Sequence, residues 1–246
     1  MSLAKAVVVG VGAEDGLGAA LSRCYAANGR HVLVAGRTLE KVEKVTAAIR
    51  REGGRATAYA VDATREADVI HLFDAAMADD EDGGPADLVT HNVGLNQKID
   101  FRQTEASAFE DFWRLNTLSG FLVGREAARR FAPLGRGSVF FTGASGSLRG
   151  MPSFAHFAAS KAGLRMISQS MAREFGPQGI HVAHVVVDGA VDGERVKSLF
   201  PGAVEHLGEN GMLNTKAVAE IYWQLHLQHP STWTQELDIR PFKEKF

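Results

Sequence analysis

The 246-residue sequence has a single cysteine, Cys24. One thiol excludes an internal disulfide framework and is compatible with a reducing compartment. Cys24 lies in an apolar helical stretch and reads as a core residue, with a nucleophile as the alternative; a free buried cysteine behaves as a small hydrophobe. Charge of one sign is also lacking. With 27 basic and 29 acidic residues the formal net charge is -2, which gives a nucleic acid or an anionic membrane nothing to hold. No apolar run reaches the roughly 18 residues of a membrane span. No secretory-signal pattern precedes the first strand, so a cytoplasmic protein is expected. The nine histidines form no metal set. His181 and His184 lie three apart on a strand, hence on opposite faces; His226 and His229 lack a third ligand, so no metal is implied. Linkers, composition breaks and internal repeats are missing too. Residues 1–246 are therefore expected to form one domain, 45% hydrophobic and long enough for a large core.

What the sequence does have is alternation. Apolar, β-branched runs at 6–9, 31–35, 56–61, 86–90, 137–142 and 181–187 read as buried parallel strands, and a last strand with a docked tail is expected around Trp233, Leu237 and Ile239. Helical stretches fall between them at 19–27, 39–52, 65–79, 108–131, 154–175 and 215–227. Asn28-Gly29 and Gly53-Gly54 stop two of these helices. Thr38 can cap one, and Asn214 or Thr215 can start the last. The acidic run at 79–85 reads as a solvated turn. The pattern implies an α/β fold: a single-domain, doubly wound (Rossmann) parallel sheet of about seven strands with helices on both faces. Ligands of such sheets sit beyond the carboxyl ends of the strands. Arg37, Asp62, Asn92, Ala144 and Asp188 all fall at such ends. Residues 190–214 are irregular and glycine-dotted, the character of a substrate loop or lid.

The first strand runs into Gly10-Val11-Gly12-Ala13-Glu14-Asp15-Gly16-Leu17-Gly18. Strand, glycine turn and helix together hold a dinucleotide pyrophosphate: the turn is tight, the backbone comes close to the phosphates, and the helix start offers free N–H groups. The spacing G-x-G-x-x-G from Gly10 fails at Asp15, whereas Gly12, Gly16 and Gly18, with Leu17 between, fit a different one. An ordinary strand-to-helix turn is the alternative. About twenty residues on, where a carboxylate would hold the ribose 2′-hydroxyl of NAD, stands Arg37, followed by Thr38. A guanidinium pairs with a 2′-phosphate, so NADP(H) is favoured over NAD(H), unless Arg37 is a solvated helix-start residue. Glu14 and Asp15 oppose so anionic a cofactor unless they face solvent. Asp62 can accept the adenine amino group beside the Ala63 N–H, cap the next helix, or do both. Asn116 is a poor residue for a helix interior; it either acts through its side chain or bonds a neighbouring element. Phe157 and Lys161, four apart, share a helix face.

These landmarks resemble the short-chain dehydrogenase/reductase family along nearly the whole chain. The family's T-G-x-x-x-G-x-G matches Val11-Gly12 through Gly16-Leu17-Gly18, with valine for threonine. Its N-N-A-G matches His91-Asn92-Val93-Gly94, and its active-site asparagine falls on Asn116. Its Y-x-x-x-K matches Phe157 to Lys161, its catalytic serine, thirteen residues before the tyrosine, falls on Ala144, and its P-G falls on Asp188-Gly189. The resemblance implies a cofactor site of Gly12, Gly16, Leu17, Gly18, Asn92, Gly94, Lys161 and Gly189, joined by Arg37, Thr38, Asp62 and Ala63. It further implies a small-molecule substrate and assembly through the long helices into a homodimer or homotetramer.

The departures fall on the chemistry. In the family the serine binds the substrate carbonyl, the tyrosine passes the proton, the lysine lowers the tyrosine pKa and holds the nicotinamide ribose, and the asparagine orders a water relay. Phe157 and Ala144 have no hydroxyl and can do neither proton task. Asn116 and Lys161 remain as catalytic candidates. Ser145, Ser147 and Asp188 are possible substitutes, while His156 is about 100° round the helix from 157 and points elsewhere. The expectation is an NADP(H)-dependent oxidoreductase on a carbonyl/alcohol pair with a modified proton route, the lysine with the ribose hydroxyls or ordered water supplying the proton. The alternative is a catalytically silent NADP(H)-binding module or regulatory subunit.

Overall fold

A computed structural model describes residues 4–199 and 201–245. Seven strands lie in the order β3-β2-β1-β4-β5-β6-β7, every neighbouring pair parallel. They are β1 Ala4–Val9, β2 His31–Gly36, β3 Arg55–Ala60, β4 Gly84–His91, β5 Gly137–Thr142, β6 Ile180–Val187 and β7 Glu236–Ile239. All eight residues of β6 are buried, as expected of a strand covered on both faces. The helices are α1 Leu17–Ala27, α2 Leu39–Arg51, α3 Glu66–Met77, α4 Ala106–Trp113, α5 Ser119–Phe131, α6 Ala155–Phe175, α7 Glu194–Leu199, α8 Ala203–Leu207 and α9 Thr215–His226.

Side chains alternate across the sheet and divide the interior in two. Ala6 and Val8 of β1 join Leu21 and Tyr25 of α1, Val45 of α2 and Tyr222 of α9 on one face. Val7 and Val9 join Leu72 and Phe73 of α3, Phe131 of α5 and Leu164 of α6 on the other. Each face buries its own helical stripe, which is why the strand period of two is so regular here.

Several expectations are corrected. The helix expected over 108–131 is two helices, α4 and α5, joined by the π-helical turn Arg114–Leu118, which contains Asn116. Residues 190–214 include two short helices, α7 and α8. Thr38 stands at the α2 cap position but makes no side-chain cap bond. Asp62 does not cap α3, which starts at Glu66 with Arg65 before it; its Oδ1 instead accepts from the Thr64 N–H and hydroxyl at 3.0 and 2.8 Å. The acidic turn is engaged rather than merely solvated: Asp80 pairs at 2.7 Å with Lys5, whose ammonium also donates to Ala78 O at the end of α3. Asn214 caps α9 through the Lys216 and Ala217 N–H groups.

Candidate active site and dinucleotide cleft

The chain leaves β1 through β2 and β3 on one side and returns to β4 on the other, so the carboxyl ends of β1 and β4 part around a crevice. A cleft of about 440 Å³ opens there. Its floor is the glycine turn. Gly10 has φ +96°, and a Cβ on it would lie 2.6 Å from Val93 N; one on Gly18 would lie 3.0 Å from Gly10 O. Both glycines are demanded by chain passing chain. Gly12 is not: a Cβ there would meet nothing within 4 Å, and the position lines the cleft. Among the described residues no atom accounts for the glycine at 12. Gly16 precedes α1, and the Leu17 side chain is buried in the core beneath it. Glu14 and Asp15 are exposed and do not line the cleft.

Arg37 and Thr38 line the cleft at the end of β2, and Asp62 and Ala63 line it beyond β3. Burial alone would raise the Asp62 carboxyl, but the two Thr64 bonds and the charges of Arg37 and Arg65 outweigh it and hold it below the usual range. Lys41, in the first turn of α2, brings a second cation to the rim; sequence reasoning missed it. Glu194 and Ser198 of α7 complete the rim, so the 190–214 segment reaches the cleft.

Asn92 and Gly94 lie at the end of β4, Asn92 donating to Gly10 O at 3.2 Å. Lys161 of α6 is 4% exposed, and its ammonium donates to Thr142 O at 2.9 Å and Val93 O at 3.3 Å. With no anion beside it, burial lowers its pKa to about 8. Asn116 spends its N–H₂ on Phe112 O at 3.0 Å and Ser160 Oγ at 3.1 Å, while its Oδ1 has no hydrogen-bond partner among the described residues. A Cβ on Gly94 would stand 3.2 Å from Lys161 Nζ and 3.5 Å from that orphan oxygen, so the two polar atoms converge on one spot. The π turn aims the asparagine there, a common use of such turns.

Phe157 packs its ring on Gly146, and Phe154 meets it edge-on at 6.5 Å between centroids. Ala144 enters the 3-10 turn Ser145–Ser147. Ser145 is half-buried, whereas Ser147 turns inward toward His184 of β6. Asp188 is held by Arg149, whose Nη2 donates to its two oxygens at 3.1 and 2.9 Å. Gly189 follows with φ +144° beneath Pro241. His156 is turned from the site, its Nε2 on Gln97 O at 2.9 Å and its ring edge-on to Phe112. Cys24 lies between α1 and α9 with its thiol raised, chiefly by burial. His226 is engaged by Arg30 and Ser138. Among the described residues no cluster of three or more His, Cys, Asp or Glu could hold a metal ion.

The family model described as short chain dehydrogenase matches residues 5–203, from β1 to the start of α8. The chain belongs to that family. Among its relatives, the gluconate 5-dehydrogenase of Gluconobacter oxydans (strain 621H) is 27% identical over 181 residues, covering 74% of this chain and 70% of that protein. A crystal structure of a short-chain dehydrogenase from Rhodopseudomonas palustris is 37% identical, with TM-score 0.80 over 97% of this chain and 99% of that one. The fold also matches a gluconate 5-dehydrogenase from Burkholderia cenocepacia J2315 in complex with NADP and tartrate, at 21% identity and TM-score 0.83 over 98% and 95% of the two chains.

Proposed function

We propose that the protein is an NADP(H)-dependent oxidoreductase acting on a carbonyl/alcohol pair by a proton route that uses neither residue 157 nor residue 144. The observation that carries the reading is the pairing of Gly12, whose missing side chain no atom of the described residues explains, with two cations, Arg37 and Lys41, on the rim of the same cleft. An open backbone suits a pyrophosphate, and a guanidinium with an ammonium suits the extra phosphate on the adenosine ribose. Asp62, kept ionised by Thr64 and Arg37, is the acceptor for an adenine amino group beside Ala63. Asn92 and Gly94 form the wall near the nicotinamide half. Lys161 keeps one N–H beyond its two carbonyl bonds for a ribose hydroxyl, and Asn116 Oδ1 takes a proton-bearing neighbour beside it. When bound, the nicotinamide supplies or accepts hydride. The name of the relative gluconate 5-dehydrogenase supports the same reaction class.

Within this reading residues 1–246 act as one unit, and the 190–214 segment, which places Glu194 and Ser198 on the cleft, closes over bound ligands. The outward faces of α4 to α6 expose Phe109, Trp113, Phe121 and Met166, which suits assembly with further copies of the chain; light scattering should return a dimer or tetramer mass. The deciding experiment is a fluorescence titration with NADPH and NADH on the wild type and on Arg37→Ala. NADPH should bind more tightly, and the variant should lose about tenfold of that preference, the range of one charge-assisted hydrogen bond. Equal affinities in the wild type would refute the NADP assignment. Tight binding with no hydride transfer to or from a panel of alcohols and carbonyls would leave a silent binding module.

A further inference from the structure

The two carbonyls that hold Lys161 stand at strand ends, Val93 O just past β4 and Thr142 O on the last residue of β5. Thr142 is also gripped from the other face of the sheet. Its Oγ1 shares a hydrogen bond of 2.9 Å with the hydroxyl of Tyr222, a residue of α9. The Gly143 N–H, which belongs to the same peptide as Thr142 O, donates to Val185 O at 2.7 Å. That peptide is therefore held by β6 on one side and by the lysine on the other, while α9 holds the side chain beside it. Tyr222 is fully buried, and its ring lies edge-on to Phe140 at 6.2 Å between centroids. Burial pushes its phenol up and keeps it protonated. A buried phenol needs a partner for its O–H, and this one has it in Thr142.

A second pair of the same kind separates support from positioning. Tyr25 of α1, equally buried, shares a bond of 2.8 Å with Thr90 Oγ1 of β4. Thr90 lies within the sheet, paired with Val8 of β1 and Phe140 of β5, and three residues before Val93. Thr142 ends its strand and itself carries an acceptor of the ammonium. The two hydroxyl pairs match in burial and length and differ in whether the threonine's own carbonyl holds Lys161.

We propose that Tyr222 is a positioning residue for Lys161: through Thr142 it fixes the carbonyl that aims the ammonium at the spot above Gly94. Gly94 lines the cleft, and a Cβ on it would stand 3.2 Å from Lys161 Nζ, so a ligand atom seated there is within hydrogen-bond reach. The proposal rests on the oxidoreductase reading above for the nature of that atom, a ribose hydroxyl of the dinucleotide. The titratable groups that feel the charge of Lys161 are His91 on β4 and His184 on β6, and burial keeps both neutral. With no anion beside it among the described residues, the charged form of Lys161 depends on its two carbonyls. Letting Thr142 O drift away disfavours that form.

The test needs no substrate. In the protein without cofactor, NMR of ¹³C,¹⁵N-labelled lysine should find Lys161 titrating at about 8. Tyr222→Phe, which removes one oxygen and keeps the ring, should lower that midpoint by about half a unit, and Thr142→Val should do the same. Thr142→Ser keeps the hydroxyl and should leave the midpoint where it is. NADPH should bind Tyr222→Phe about fivefold more weakly, the range of one hydrogen bond. Tyr25→Phe is the matched control. It should lower the thermal midpoint about as much as Tyr222→Phe, while its Lys161 titration and its NADPH affinity stay as in the wild type. A Tyr222→Phe protein that loses only thermal stability would overturn the proposal and leave the oxidoreductase reading intact; so would an equal Lys161 shift in Tyr25→Phe. A Lys161 shift confined to the Tyr222 and Thr142 variants, in a protein whose wild type binds neither NADPH nor NADH, would uphold the positioning role and overturn the oxidoreductase reading instead.

Discussion

In the function proposed above, Phe157 and Ala144 each lack one oxygen atom relative to the tyrosine and serine that the family resemblance implies at their positions. The surrounding frame is in place: Phe157 lies on the lysine face of α6 and packs on the turn that Ala144 enters. The double variant Phe157→Tyr/Ala144→Ser should therefore raise steady-state NADPH oxidation with a simple ketone by about 10²-fold or more. No change would mean that the frame is not organised for hydride transfer. Arg37 and Asp62 were legible because their place at a strand end gives them meaning. Lys41 and Arg149 were not: a lysine in a helix's first turn and an arginine in a loop are ordinary solvated residues until the backbone swings them to the rim or onto Asp188.

At the level of elements, the glycine turn separates two demands that look alike in a sequence. Gly10→Ala forces a side chain at φ +96° into the Asn92–Val93 backbone and should lower the thermal midpoint sharply. Gly12→Ala fills open space, so it should leave the midpoint within a degree or two while weakening dinucleotide binding by at least tenfold. Calorimetry beside a nucleotide titration reads both, and a Gly12→Ala protein that binds as well as wild type would refute the phosphate role of this turn. The strands were legible as continuous apolar, β-branched runs, the mark of strands buried on both faces, set between helical stretches. The π turn at 114–118 was not, because one extra residue in a helical turn leaves no mark on composition; only the out-of-place Asn116 hinted at it. The Tyr222–Thr142 bond was equally hidden, since it depends on which residue of α9 packs over the end of β5.

For the whole molecule, buried neutral histidines set a limit on the acid side. Burial brings His184 down to about 4, and His91, buried and facing the Lys161 charge, down to about 3. Unfolded, each takes up a proton near pH 6.5, as does His226, which burial also brings down to about 4, so below that pH these three rings give the unfolded chain up to three more protons than the folded one. Through them stability is lost as pH falls from about 6.5 toward 4, by up to about 4 kcal/mol per pH unit. Urea midpoints between pH 7 and 5 would record this, and a flat profile would contradict it. The sheet that separates the two groups of packed side chains acts as a bulkhead. A hole cut on one side cannot be filled from the other, so damage should sum across the wall and interact only within a compartment. Leu21→Ala and Leu72→Ala, on opposite sides, should have free-energy costs that add to within about 0.5 kcal/mol. Drift in one compartment of this chain is then free to proceed without the other having to follow.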